Sequence, residues 1–216
     1  MAKRIVTYLA GLIMVAFGIN LAKLAGLGIS AVTSVARALE VVTGCTLGTM
    51  IIVFYSCLVL LQLVILGKDF KIKNILGIPV GLLFGSLVDI IGPDPKAIGH
   101  LMVNFPRPGS YPMQLLYLAA SLIVVGTGVY VYIRPQIVSM PAEGFQEALA
   151  QKTGKTFGDC KSMVDVSFVL ISLTVQLAAM GGLKSFSSPD VVVREGTLLS
   201  ALFGGQIVKF WKKKLG

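Results

Sequence analysis

Thr43-Gly44-Cys45-Thr46-Leu47-Gly48 and Thr153-Gly154-Lys155-Thr156-Phe157-Gly158 are one pattern written twice, at an offset of 110 residues (43 against 153). The same register sets Leu12-Ile13 on Leu122-Ile123, Gly18 on Gly128, and Ala38-Leu39 on Ala148-Leu149. After nine extra residues in the second half the offset becomes 119 (77 against 196). There Gly77, Gly81 and Gly85 fall on Gly196, Ser200 and Gly204, and Phe84 falls on Phe203. Self-similarity fixes architecture before local detail does. Chance likeness between Gly- and Leu-rich helices is the competing explanation, and the gapless TGxTxG match speaks against it.

The solvent around this repeat follows from composition. The 216 residues are 55% hydrophobic and 13% charged, with a mean hydropathy of +0.85. Soluble domains average about 45–50% apolar and about 25% charged residues. Too few charges remain to cover a water-facing surface, so a soluble domain and a disordered chain are both excluded. The net charge of +9 has no aromatic-rich basic patch beside it, so nucleic acid is not an expected partner. The basic residues read instead as orientation signals at the edges of a lipid bilayer. Cys45, Cys57 and Cys160 form no CxxC, and His100 stands alone in a Pro-rich loop. Neither a disulfide framework nor a metal site is expected, and no cofactor.

About 20 apolar residues cross a hydrocarbon core. On that rule the spans are 5–25, 46–66, 74–91, 113–133, 158–181 and 191–210. The first begins like a signal peptide, but its apolar stretch is long enough to span and lacks a clear cleavage site. Two segments, 30–43 and 141–152, are too short and too charged to cross. The stretch 93–112, with Pro93, Pro95, Pro106, Pro108 and Pro112, is a Pro/Gly-rich linker. With the N-terminus in the cytoplasm, Lys3, Arg4, Lys68, Lys71, Lys73, Arg134, Lys152, Lys155, Lys161, Lys209 and Lys212–214 lie inside, thirteen of the 19 basic residues. Lys23, Arg37, Lys96, Arg107, Lys184 and Arg194 lie outside. Both termini are then cytoplasmic and the linker is extracytoplasmic.

Three crossings per half is an odd number, so the halves 1–92 and 113–216 enter the membrane from opposite sides. The expected fold is an all-α integral membrane protein. It has about six transmembrane helices in two inverted-topology three-helix repeats, each with a short re-entrant or interfacial helix after its first span. Many secondary transporters share that plan.

Gly77, Gly81 and Gly85 are four apart and line one helix face, as do Gly196, Ser200 and Gly204. Small faces let membrane helices approach closely. A sliding contact between halves and static packing both fit, and static packing is the plainer reading.

Ionisable residues at membrane depth are costly and mark sites. Asp165 lies about two turns into its span, with Lys161 one turn before it and Ser172 and Gln176 on the same face. Its repeat mate is Tyr55, and that of Ser172 is Gln62. These residues are candidates for substrate binding or proton coupling. A structural Lys161–Asp165 pair near the cytoplasmic interface is the alternative. Asp89 is expected to reach the interface and Lys23 to snorkel to it. Arg194 and Glu195, at the outer start of the last span, are either an interfacial pair or an extracellular gate.

Ser30 and Pro141 are helix-start signals, a cap and a first-turn proline. If the short helices are re-entrant, their N-termini point inward from opposite sides and present free N–H groups to an anion at the midplane. This brings Ser30 and Glu143 into the candidate site. The apolar face of Ala31, Val35, Ala38, Leu39 and Val42 also suits a helix lying flat at the interface, where Arg37 and Glu40 are at ease.

Met140-Pro141-Ala142-Glu143-Gly144-Phe145, Lys161-x-x-x-Asp165 and Val193-Arg194-Glu195-Gly196-Thr197 resemble the YczE/YitT-like family of bacterial membrane proteins. The resemblance covers nearly the whole chain and is clearest in the second half. It implies a multi-pass protein of the bacterial cytoplasmic membrane. It marks Glu143, Lys161, Asp165, Arg194 and Glu195 as family-type positions without giving them a chemistry.

The expectation is therefore a small secondary transporter or permease. Its small-molecule substrate, anionic on the dipole argument, binds between the repeats. A homodimer is compatible with its size. The alternative is a substrate-binding membrane subunit or accessory protein that works with a separate partner such as an ATPase module. An enzyme is not expected, because no Ser/His/Asp or Cys/His constellation is present. Thr153-Gly154-Lys155-Thr156 lacks the strand and upstream Gly of a phosphate loop, and its mate Thr43-Gly44-Cys45-Thr46 lacks the Lys, so both read as ends of the short helices, with Gly at the stop.

Overall fold

The computed structural model describes residues 2–179 and 191–215. Its elements are helical: α1 (Ala2–Ala25), α2 (Ala31–Thr43), α3 (Leu47–Leu66), α4 (Ile72–Ile75), α5 (Gly77–Ile91), α6 (Tyr111–Ile133), α7 (Pro141–Thr153), α8 (Phe157–Ala179) and α9 (Glu195–Leu215). A single 3-10 turn follows α3 at Gly67–Asp69, and no strand occurs among the described residues.

The twice-written pattern is a helix stop followed by a helix start. α2 ends on Gly44 at φ 71° and α7 ends on Gly154 at φ 68°. A side chain resists that left-handed turn and glycine does not. Two residues later the Thr46 hydroxyl accepts the Thr49 N–H at 3.2 Å, at the start of α3. The Thr156 hydroxyl accepts the Asp159 N–H at 3.2 Å, at the start of α8.

Four helices are long and apolar enough to cross a membrane: α1, α3 continued to Asp69, α6 and α8. They leave large apolar side chains such as Val64 and Leu116 exposed. That pattern suits lipid as the solvent and marks a membrane protein. α5 is apolar but only 15 residues long, about 22 Å at 1.5 Å per residue, against a core of about 30 Å. α9 starts at Glu195 rather than near 191 for a tertiary reason. The Gln176 Oε1 accepts the N–H groups of Val192 and Val193 at 3.0 and 2.7 Å, and Val192 O accepts the Ile29 N–H at 3.4 Å. Those residues are held against α8 and the α1–α2 turn, and do not extend the helix.

α1 lies along α6 at close range, and α3 along α5. The short helices cross over: α2 packs on α8, and α7 on α3. α9 packs on α6. Glycine makes the α1–α6 approach possible, since a Cβ on Gly11 would stand 2.5 Å from Tyr132 N. The face of Gly77, Gly81 and Gly85 turns towards α3, meeting Val59, Tyr55 and Ile52 respectively. Pro141 touches Gly77 and Gly81 from the second half. Gly196 packs on Leu27 O, and its N–H donates to that carbonyl at 2.8 Å. The surroundings of Gly204 lie outside the described residues.

Four charged residues, Asp89, Lys23, Arg37 and Glu40, are held inside the protein. Asp89 is buried in the protein. Its carboxylate accepts the Thr46 hydroxyl at 2.5 Å and the Gly48 N–H at 2.8 Å. It thereby occupies the positive end of α3, which explains how a charge persists at the end of an apolar helix. Lys23 does not snorkel: its Nζ meets Glu40 Oε1 at 2.5 Å. Glu40 Oε2 in turn holds Arg37 Nη1 at 2.7 Å. Arg37 and Glu40 are both buried, so this face of α2 packs inside the protein.

Candidate functional site

The crossing of the short helices leaves a cavity of about 810 Å³. Both helix starts line it, Ser30 and Thr33 of α2 and Glu143 and Gln146 of α7. Tyr55 of α3, Phe84 of α5, Tyr132 of α6, and Lys161 and Asp165 of α8 complete the polar and aromatic wall. Ser200 and Lys212 of α9 also line it.

Asp165 is the hub of one cluster. Its Oδ2 receives Lys161 Nζ at 2.8 Å and its Oδ1 receives Gln146 Nε2 at 3.0 Å. Gln146 is fully buried, and its Oε1 has no hydrogen-bond partner. Glu143 anchors a second cluster, where the Tyr132 hydroxyl donates to its Oε1. Burial pushes the Glu143 carboxyl up from its ordinary range. Opposing that are the Tyr132 hydroxyl, the nearby Lys161 and the Met140 N–H at the start of its own helix. Tyr55 and Phe84 stack with ring centroids 6.1 Å apart, and Tyr8 meets Tyr132 edge-on at 6.1 Å.

Over residues 2–213 the chain matches a family described as a family of unknown function (DUF6198). It belongs to that family. No curated protein and no solved structure matches it. The cavity of this DUF6198 chain must therefore be read from its own residues.

The polar stripe of α8 divides. Asp165 and Lys161 face the cavity, but Ser172 and Gln176 do not line it. The Ser172 hydroxyl donates to Phe168 O at 2.7 Å and lies 2.8 Å from the Ser34 hydroxyl, behind the first turn of α2. Gln176 holds Val192 and Val193. The repeat mates divide in the same way. Tyr55 faces the cavity, while Gln62 Nε2 donates to Pro141 O at 3.0 Å, behind the first turn of α7. Ser30 lies at the cavity wall, 2.9 Å from the Thr33 hydroxyl.

Arg194 and Glu195 do not line the cavity. They form a two-pronged pair at 2.8 and 3.0 Å, with Arg194 Nη1 on Gly26 O at 3.4 Å and the Tyr111 hydroxyl on Glu195 Oε1 at 3.4 Å. Gln146, Tyr132 and Phe84 belong to the wall and were not expected from sequence. Gln146 carried one usable signal: it follows Glu143 by three residues on the same helix, hence on the same face.

Proposed function

We propose that the chain is a small membrane transporter that takes a small-molecule substrate into the cavity between its halves. Six crossings are then arranged as two inverted repeats, α5 and α9 joining the four long helices. The observation that carries the reading is the cavity's dual origin. Thr33, Tyr55 and Phe84 come from the first half, and Glu143, Gln146 and Asp165 from the second. A site shared by two repeats changes its exposure when one repeat rocks against the other.

The packing supports the repeat. α2 lies on α8 as α7 lies on α3, and α1 meets α5 as α6 meets α9. Each short helix stops on a left-handed glycine, and each has a polar side chain of the opposite half behind its first turn. By charge distribution both termini face the cytoplasm of a bacterial cell, and Lys161 and Lys212 stand at the cytoplasmic end of the cavity.

The test is reconstitution of the purified full-length chain in liposomes, with currents or uptake recorded on jumps of metabolite classes. The expected result is saturable flux for one class, lowered at least about tenfold by Asp165→Asn or Glu143→Gln. A folded protein that moves no solute alone, yet co-purifies with an ATPase that restores flux, would establish the accessory-subunit reading instead.

A further inference from the structure

The charge and chemistry of the cavity wall say which ligand it takes, and this deepens the transporter reading. Three carboxylates line it, Glu143, Glu147 and Asp165, against two cations, Lys161 and Lys212. Lys161 is already paired with Asp165 at 2.8 Å. Glu143 has no cation within ion-pair distance among the described residues. Its partners are the Tyr132 hydroxyl and the Met140 N–H. A half-buried carboxylate without a counter-ion is a place for one to arrive.

Gln146 is an independent sign. It is fully buried on this wall, and its amide nitrogen is fixed by the Asp165 carboxylate, which can only accept. That fixes the amide's orientation and leaves Oε1 as an acceptor with no donor. Buried acceptors are rarely left so, and a ligand N–H would satisfy this one. The rings of Tyr55, Phe84 and Tyr132 are the third sign. Aromatic faces attract ammonium groups within about 6 Å.

An anion finds less. The start of α7 is taken by its own Glu143, as in a helix whose third residue reaches back to the cap N–H. What remains is the start of α2, at Ser30 and Thr33, and the exposed Lys212.

We infer that the cavity binds an organic cation, a protonated amine on an apolar or aromatic body. Its ammonium meets the Glu143 carboxylate, one N–H reaches Gln146 Oε1, and its body lies among Tyr55, Phe84 and Tyr132.

Three probes sharing one ring system test this: tryptamine, tryptophol and indole-3-propionate, which are cationic, neutral and anionic. Calorimetry on the purified full-length chain should find tryptamine bound at least about tenfold more tightly than the other two. Glu143→Gln should bring tryptamine to the level of tryptophol. Gln146→Met should weaken tryptamine but not its N,N,N-trimethyl form, which has no N–H on the ammonium. If Glu143→Gln does not fold, the ranking on the unaltered chain and the loss of affinity in Tyr132→Leu carry the decision. Equal or tighter binding of indole-3-propionate overturns the inference, as does a preference for tryptamine that Glu143→Gln leaves intact, or no saturable binding of any probe. Tryptamine bound but never moved across liposomes would sink the transporter reading and leave this one standing. Flux of an anion that occupies the cavity would do the reverse.

Discussion

Gln146 of α7 donates to Asp165 Oδ1 of α8 at 3.0 Å, while Lys161 holds the other carboxylate oxygen at 2.8 Å. The two contacts differ in weight. The Lys161 side chain is 45% exposed, and an ion pair so open to solvent contributes about 0–1 kcal/mol. Gln146 is fully buried, and stranding its amide costs about 1–3 kcal/mol. Asp165→Ala should therefore destabilise the protein more than Lys161→Ala in detergent unfolding. Equal losses would shift the weight to the ion pair. Gln146→Met should cost little, because it removes the unpaired Oε1 along with the hydrogen bond.

Asp89 joins α5 to the start of α3, and the joint is tight. Loss of a cap that also serves a half-buried hydroxyl costs about 1–3 kcal/mol, so Asp89→Ala should lower the unfolding midpoint clearly. Gly48→Ala should do at least as much by a different route. Its Cβ would stand 2.1 Å from Gly85 O and 2.5 Å from the Asp89 carboxyl carbon, so backbone must move. Gly44→Ala is a useful contrast. Nothing lies within 4 Å of its Cβ, and only the left-handed turn at φ 71° resists, worth about 1 kcal/mol. A Gly48→Ala protein as stable as Gly44→Ala would contradict the close α3–α5 approach.

These contrasts mark what could be read from sequence. The stops at Gly44 and Gly154 were legible because a left-handed turn is a local demand that few residues meet. The ends of α1, α3 and α6 fall within three residues of expectation, since bilayer thickness sets helix length. The start of α9 was not legible, because the Gln176 side chain decides it from another helix. Asp165 stood out as a charge at membrane depth. Gln146 and Tyr132 did not, because neither residue type is conspicuous until a neighbouring helix brings it a partner. Lys23 shows the same limit: its partner Glu40 lies one helix further on, and only the turn at 26–30 brings the two together.

That triad carries its own prediction. Lys23 and Arg37 share one carboxylate, Glu40, and all three side chains are at most 12% exposed. Removing Glu40 takes from the largely buried Lys23 its carboxylate partner and from Arg37 one of its contacts. Removing Lys23 leaves Glu40 still paired with Arg37. Breaking a buried pair by deleting one partner costs about 3–5 kcal/mol. Glu40→Gln should approach that figure and Lys23→Met should fall well below it, by thermal unfolding in the same detergent. The opposite order would mean that Lys23, not Glu40, organises the α1–α2 contact.

Glu143 gives the stability a pH dependence whose sign follows from its surroundings. Burial raises its pKa above the ordinary 4.5 in the folded protein, and α7 is too short to cross the membrane itself. The groups bearing on it are Tyr132, Tyr55 and Tyr8, with Glu147 and Lys161. A folded value above the unfolded one means that the folded state holds this proton more tightly. The resulting stabilisation is complete below 4.5 and is lost as pH rises through the folded value. Glu143→Gln keeps an acceptor for the Tyr132 hydroxyl but has no proton to lose. Its unfolding midpoint relative to the unaltered chain should therefore rise steadily as pH increases above 4.5. A constant difference across that range would mean that Glu143 titrates alike in both states, and that burial is not what governs it. An organic cation bound at Glu143 should cancel the effect, because its charge favours the ionised carboxylate that burial opposes. Repeating the series with saturating tryptamine should thus flatten the slope for the unaltered chain and leave Glu143→Gln unchanged.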